Sequence, residues 1–215
     1  MTDALHAGNG IMNRLREETR ALHDRTENGG FQTLLMAGKL PREAYVDSLG
    51  QLLQVHRILE EHLGRLAKKH PAFREVVRVD CFQEPQLLAD LRHFGRTPAS
   101  IGPSPATRRF VTWIETLARE TPIALLGVFY VLEGSKNGGR FIARAVTKAY
   151  ALEGRAGVAY LDPHGEEQKP LWQDFKRRME ALDLGASDQE EIVRAACETF
   201  AAIGRIYEEL ASPRG

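Results

Sequence analysis

The chain is poor in cysteine. Cys81 and Cys197 are its only two in 215 residues, without disulfide-framework or metal-ligand spacing; that usage suits a reducing compartment and leaves both to packing. It also lacks net charge, with 29 lysines and arginines against 29 aspartates and glutamates. No global field therefore draws it to nucleic acid or to an anionic membrane, and any basic site must be local. No apolar run of signal-peptide type opens the sequence, and Ala-Ser-Pro-Arg-Gly closes it without a hydrophobic tail, so a soluble, cytoplasmic protein with no membrane partner is expected. Repeats, low-complexity tracts, linkers and strand-like alternation are missing too. The expectation is a single all-α domain over residues 1–215, with the polar, glycine-containing residues 1–10 as a flexible arm.

What is present is helical periodicity. Residues 11–26 carry Ile11, Leu15, Thr19, Leu22 and Thr26 on one stripe, with His23 at its edge, and Asn28-Gly29-Gly30 ends the run. After a short stretch to Gly38, Pro41 opens a second helix whose core face is Tyr45, Leu49, Leu52, Leu53, Val55, Leu59 and Leu63, expected to end near His70-Pro71. Residues 85–94 read as a short helix, 96–104 as a loop and 105–120 as a helix facing inward through Phe110, Trp113, Ile114 and Leu117. A long helix follows over 122–152, then an irregular stretch over 154–170, then a helix over 171–182 with the basic run Lys176-Arg177-Arg178. Ser187 and Glu190 read as a capping box for a last helix reaching Leu210.

The long helix is anomalous. Leu125, Val128, Phe129 and Leu132, then Phe141, Ile142, Ala145 and Val146 keep the helical period, yet Gly134, Gly138 and Gly139 crowd its middle. Each interior glycine costs about 1 kcal/mol against alanine, so the trio costs roughly 3 kcal/mol. Three readings compete: a turn at Asn137-Gly138-Gly139, tight packing against another helix, or a bent helix whose bare backbone covers a flat ligand. No proline follows, and the apolar period resumes at Phe141, which weakens the first.

A helix with bare backbone facing a second helix that carries His23 suits a haem, whose iron takes one imidazole and needs room on its other face for a diatomic gas. Glu27 lies one turn beyond His23 on the same face, placed to accept a hydrogen bond from the ring. The bland alternative is a surface histidine. A di-iron reading would use His23 with Glu27 and His56 with Glu60, but the Glu-x-x-His pairs of such sites are missing.

These residues carry a resemblance. Leu15-Arg16-Glu17-Glu18-Thr19-Arg20-Ala21-Leu22-His23-Asp24-Arg25-Thr26-Glu27-Asn28 resembles the proximal-helix motif of the heme oxygenases, with His23 at the axial-ligand position. The segment from Gly134 to Gly139 is similar to their distal helix, Phe175-Lys176-Arg177-Arg178 to their basic helix, and the run from Glu198 to Leu210 to their last helix. The Tyr-Val-Leu-Glu-Gly-Ser run, residues 130–135, is similar to the phytochrome-associated bacterial branch.

The resemblance implies a haem held between a proximal and a kinked distal helix, serving as both substrate and cofactor. It implies cleavage to biliverdin, carbon monoxide and ferrous iron with molecular oxygen and electrons from an external donor, whether ferredoxin, flavodoxin or a reductase. On it, His23 binds the iron with Glu27 behind it, and Gly134, Ser135, Gly138 and Gly139 form the oxygen side. Arg16 and Lys176 meet the haem propionates, and Phe200 and Tyr207 line the wall. Two positions depart from the family pattern: Ser135 stands where many members carry aspartate, and Trp172 where some carry a second propionate-binding lysine. The alternative is a haem-binding or haem-storage protein that keeps the pocket without turnover.

Overall fold

The computed structural model describes residues 10–211, and the statements below refer to these; the arm expected over residues 1–10 lies outside them except for Gly10. The described residues form an all-α fold, with short 3-10 turns and no strand. None of the helices is long and apolar enough to cross a membrane.

The first helix, α1 (Ile11–Glu27), buries Ile11, Leu15 and Thr19. Thr19 satisfies its hydroxyl by donating back to the Leu15 carbonyl at 2.6 Å. Asn28 ends α1 as expected, its backbone N–H and side-chain amide both donating to the Asp24 carbonyl. The glycines that follow do not open a loop, however. They start a second short helix, α2 (Gly30–Met36), because Phe31 and Leu35, one turn apart, both find core to bury in. Burial of such side chains is worth about 1.5–3 kcal/mol each, enough to hold two turns whose local propensity is poor.

Pro41 precedes α3 (Arg42–Ala67), whose buried stripe is the expected one. Pro71 was expected at the end of this helix. Instead α3 stops at Ala67, and Pro71 is the first residue of α4 (Pro71–Val76), the position where its missing N–H costs nothing. Next come α5 (Glu84–His93) and α6 (Pro105–Glu120), the latter capped by Ser104 Oγ, which accepts from the Thr107 N–H. Helix α7 (Leu125–Tyr150) carries the glycines, and α8 (Gln168–Glu180) and α9 (Ala186–Ala211) complete the fold. Ser187 does not cap α9: the helix begins one residue earlier, at Ala186, and holds Ser187 inside its first turn. Helix α9 runs through the centre, packed most extensively on α7 and α1.

Helix α7 is unbroken through its glycines, which removes the turn reading. The glycines divide into two groups by what a methyl group on each would meet. At Gly127 it would lie 2.0 Å from the Ile192 carbonyl oxygen of α9, and at Gly139 2.0 Å from the Leu161 carbonyl oxygen. At Gly134 it would make ordinary contact with the Trp172 ring at 3.5 Å, and at Gly138 it would meet nothing within 4 Å. Close backbone approach thus explains Gly127 and Gly139 and leaves Gly134 and Gly138 to another cause.

The irregular stretch, residues 151–167, buries Val158 in the core and is tied down by polar groups as well. The Tyr45 hydroxyl donates to the Gly157 carbonyl at 2.8 Å, and the buried Asp90 carboxylate accepts from the N–H groups of Ala159 and Tyr160 at 2.9 and 2.8 Å. Burial raises the Asp90 pKa, and the backbone donors oppose that rise.

Gly139→Ala is expected to cost about 1–3 kcal/mol, as overpacking against rigid backbone does. Gly138→Ala is expected to be neutral or to stabilise by up to about 1 kcal/mol through helix propensity. Thermal unfolding of the two ligand-free variants checks this, and equal melting temperatures would show that Leu161 moves aside without cost.

Candidate functional site

A cavity of about 1230 Å³ opens between α1, α7, α8 and α9. Buried Leu52, Val131, Leu132 and Ile203 form its inner end, while Phe141, 65% exposed, and Met36, 48% exposed, stand at its rim. Phe141 was expected to face the core as part of the resumed apolar period. It instead forms an exposed apolar edge that a ligand would cover.

The cavity brings together nearly all of the residues singled out in the sequence: Arg16, His23 and Glu27 from α1, Gly134, Ser135 and Gly138 from α7, Lys176 from α8, and Phe200 and Tyr207 from α9. Gly139 is the exception. One position past Gly138 on a helix is a rotation of about 100°, which turns it out of the cavity and onto Leu161.

On the α1 wall, the His23 side chain is 49% exposed, with Glu27 Oε1 3.4 Å from Nε2 and Asp24 Oδ1 3.6 Å from Nδ1. Each ring nitrogen therefore has its own carboxylate. Asp24 was not singled out as a ring partner, since adjacent residues do not share a helix face; its side chain reaches around. Phe200 meets the imidazole edge-on at 5.7 Å, and Tyr207 is stacked on Phe31 at 4.5 Å. Burial pushes the Tyr207 hydroxyl up to about 12 and raises Tyr130 as well, so both walls stay neutral phenols.

On the α7 wall, the Ser135 hydroxyl donates to the Leu132 carbonyl at 2.8 Å, which commits its proton and leaves oxygen lone pairs to accept. The Asn137 amide donates to the Gly134 carbonyl at 2.9 Å. Trp172 of α8 rests against Gly134, stacked on Phe175 at 5.2 Å and tilted against Tyr130 at 5.8 Å. This limits position 134 to a small residue, since a side chain longer than a methyl group would displace the indole.

Cations stand along the edge. Within the basic run of α8, Arg177 and Arg178 are both paired with Asp174. Lys176 and Arg16, by contrast, make no ion pair with another described residue and line the cavity. Gln32 leaves its buried Oε1 without a hydrogen-bond partner on the same cavity. The arrangement suits a flat, apolar ligand with anionic groups on one edge and a centre that takes an imidazole.

The di-iron reading fails on geometry. His56 and Glu60 are buried and bonded to each other at 2.9 Å, with the second ring nitrogen facing Tyr160, and no group of three or more histidine, cysteine, aspartate or glutamate side chains among the described residues is arranged to hold a metal ion.

The heme oxygenase family model matches residues 9–209. The chain belongs to the heme oxygenase family. It is 27% identical over 202 residues to mouse heme oxygenase 2, covering 91% of this chain and 64% of that protein, so it spans about two thirds of the length of that relative. It is 26% identical over 208 residues to the heme oxygenase of Pyropia yezoensis, with 95% and 87% covered. The crystal structure of heme oxygenase-1 from the cyanobacterium Synechocystis in complex with heme superposes with a TM-score of 0.87 at 23% identity, over 94% of this chain and 92% of that one. At that identity the likeness establishes the shared heme oxygenase fold.

The sequence marks Trp172 only as a departure from the family pattern and gives Tyr130 no signal of its own; their place in the cavity wall, with Trp172 against Gly134 and Tyr130 against Trp172, comes from the fold. Trp172→Ala is expected to cost about 2 kcal/mol, below the roughly 3–5 kcal/mol of a fully buried tryptophan because this one faces the cavity. The ligand-free protein should then melt roughly 5 °C lower. Unchanged melting would mean that the indole rests on Gly134 and Phe175 without stabilising them.

Proposed function

We propose that this chain is a heme oxygenase in activity as well as family: it binds haem in the cavity between α1 and α7 and cleaves it to biliverdin, carbon monoxide and ferrous iron, with an external protein donor supplying electrons. One observation carries the reading. The same cavity has an imidazole on one wall, His23, and on the facing helix bare backbone at Gly138 where nothing occupies the space of a side chain.

The residues fit the group. His23 would offer one ring nitrogen to the iron, and whichever nitrogen turns inward, a carboxylate stands beside the other to accept its N–H, directly or through a water. Arg16 and Lys176 would take the two propionates, since both are cationic and not engaged by described carboxylates. Phe200 and Tyr207 would lie against the macrocycle, held by their contacts with His23 and Phe31. The apolar rim of Met36 and Phe141 would exclude water from the exposed edge. Haem, when bound, would supply both the iron that activates oxygen and the macrocycle whose meso bridge is opened.

What α7 withholds matters as much. Among the described residues, those that α7 contributes to the wall include no carboxylic acid or imidazole to donate a proton early. Ser135, whose proton is committed to Leu132, can order a water but brings no charge. A haem-storage role would need the same pocket, so turnover is what separates the two.

Hemin added to the purified protein, then a reductant in air, should give the biliverdin spectrum, and His23→Ala should lose the native axial coordination. Identical ferric and ferrous spectra in that variant would assign the ligand to another histidine; stable haem without biliverdin would favour storage. Neutralising Arg16 and Lys176 together should weaken hemin binding by roughly tenfold, about 1.4 kcal/mol, or broaden the mixture of biliverdin isomers. An unchanged isomer pattern at unchanged affinity would return both cations to the solvated surface.

A further inference from the structure

Behind the cavity lies a buried polar set that the reading above does not use. Tyr160, from the irregular stretch before α8, forms part of the cavity wall, and its hydroxyl is 3.3 Å from His56 Nε2. His56 Nδ1 is 2.9 Å from Glu60 Oε1, one turn along α3, and both side chains are more than nine-tenths buried. Glu60 is held in turn by the start of α5: it accepts the Gln83 N–H at 2.6 Å and the Glu84 N–H at 3.2 Å. From α7, Glu133 and Lys136 face the same interior, paired with each other, and Lys136 donates to the Cys81 carbonyl at 2.7 Å.

A plain core would not be built this way. Buried ionisable groups cost more than apolar side chains of equal volume unless every one is satisfied. Here every one is, in an order that leads outward. Two backbone donors hold Glu60 as a carboxylate, so the His56 proton sits on Nδ1. That leaves Nε2, whose partner is Tyr160. A neutral imidazole accepts the Tyr160 proton, and the phenol then shows only lone pairs to the cavity. A protonated ring donates to the phenol oxygen instead, which turns the phenol proton toward the cavity. Two acidic side chains, Glu60 and Glu133, and one ammonium, Lys136, lie around His56; burial raises the Glu133 pKa and Lys136 opposes that rise. Tyr160 does not itself ionise: burial first, then Tyr207, Glu60 and Glu133, hold its pKa well above the ordinary value.

We propose that Tyr160 is the hydrogen-bonding group this chain presents to an oxygen-bearing or anionic ligand inside the cavity, and that His56, seated on Glu60, is the positioning residue that sets whether the hydroxyl donates or accepts. The inference rests on haem occupying the cavity. It gives the site a proton donor at its buried inner end while α7 supplies none, and it gives the Glu60 cluster a purpose beyond tying α3 to α5.

Fluoride, an acceptor that binds ferric haem, is the probe. In the hemin complex its affinity should fall with rising pH in a step that depends on His56. Tyr160→Phe should bind fluoride about tenfold more weakly at low pH, as loss of one such hydrogen bond to an anion implies, without that step and with hemin affinity unchanged. His56→Gln keeps an amide donor for Tyr160 at every pH, so it should keep the affinity and lose the step. Wild-type fluoride affinity in Tyr160→Phe would overturn the proposal, as would a pH step that survives in His56→Gln. A second measurement needs no haem. Nitrogen-15 shifts of the ligand-free protein should show the His56 proton on Nδ1 and an Nε2 resonance that moves in Tyr160→Phe; an unmoved resonance would remove the pairing. If wild-type protein failed to bind hemin, the haem reading would fall, while this measurement would still decide the His56 and Tyr160 geometry.

Discussion

Helix α7 is held by backbone. At Gly127 it touches the Ile192 carbonyl of α9, and at Gly139 it touches the Leu161 carbonyl of the irregular stretch, each so closely that a single methyl group would collide. Between two such contacts a helix cannot rotate, and its remaining face is thereby aimed. That face carries Gly134 and Gly138 toward α1 and His23. The interior of a protein is packed too densely for such contacts to be relaxed locally, so the face that α7 turns to the cavity follows from them. The glycines that cost helix stability are the same ones that define the site.

Around this frame the polar groups are divided between two regions. The cavity walls are largely apolar, with phenols that burial keeps protonated, and the charged side chains that line it, Glu27 and Glu180 among the acids and Arg16 and Lys176 among the bases, come from α1 and α8. Behind them, toward α3 and α5, the chain buries two glutamates, a lysine and a histidine. The zero net charge of the whole is therefore uninformative about either region. The departures from the family pattern sit at the border between them. Where the resemblance expects an aspartate and a lysine, Ser135 is a hydroxyl bonded to the Leu132 carbonyl and Trp172 is an indole that packs over Gly134. Neither brings a charge, and Tyr160 is a polar group reaching the cavity from the buried cluster.

The sequence by itself determined the helices, because a period of three to four apolar residues is a property of the chain and needs no neighbour. Most of the residues that it singles out line one cavity: Arg16, His23 and Glu27 are ordered by one helix, and Gly134, Ser135 and Gly138 by another, so a local motif carries their arrangement. Local signals failed where burial decided. The glycines after Asn28 end α1 as read but also start α2, which the sequence did not signal, because Phe31 and Leu35 find core; Pro71 looked like a stop and is a start; Ser187 looked like a cap and lies inside the first turn. Tertiary structure alone separated Gly138 from Gly139, since two adjacent glycines are identical as letters and differ only in what lies across from them. It alone put Phe141 at an exposed rim and stacked Trp172 over Gly134. It alone joined His56 to Tyr160, more than a hundred residues further along the chain. A contact of that kind depends on two distant segments folding onto the same wall, and no spacing within either segment records it.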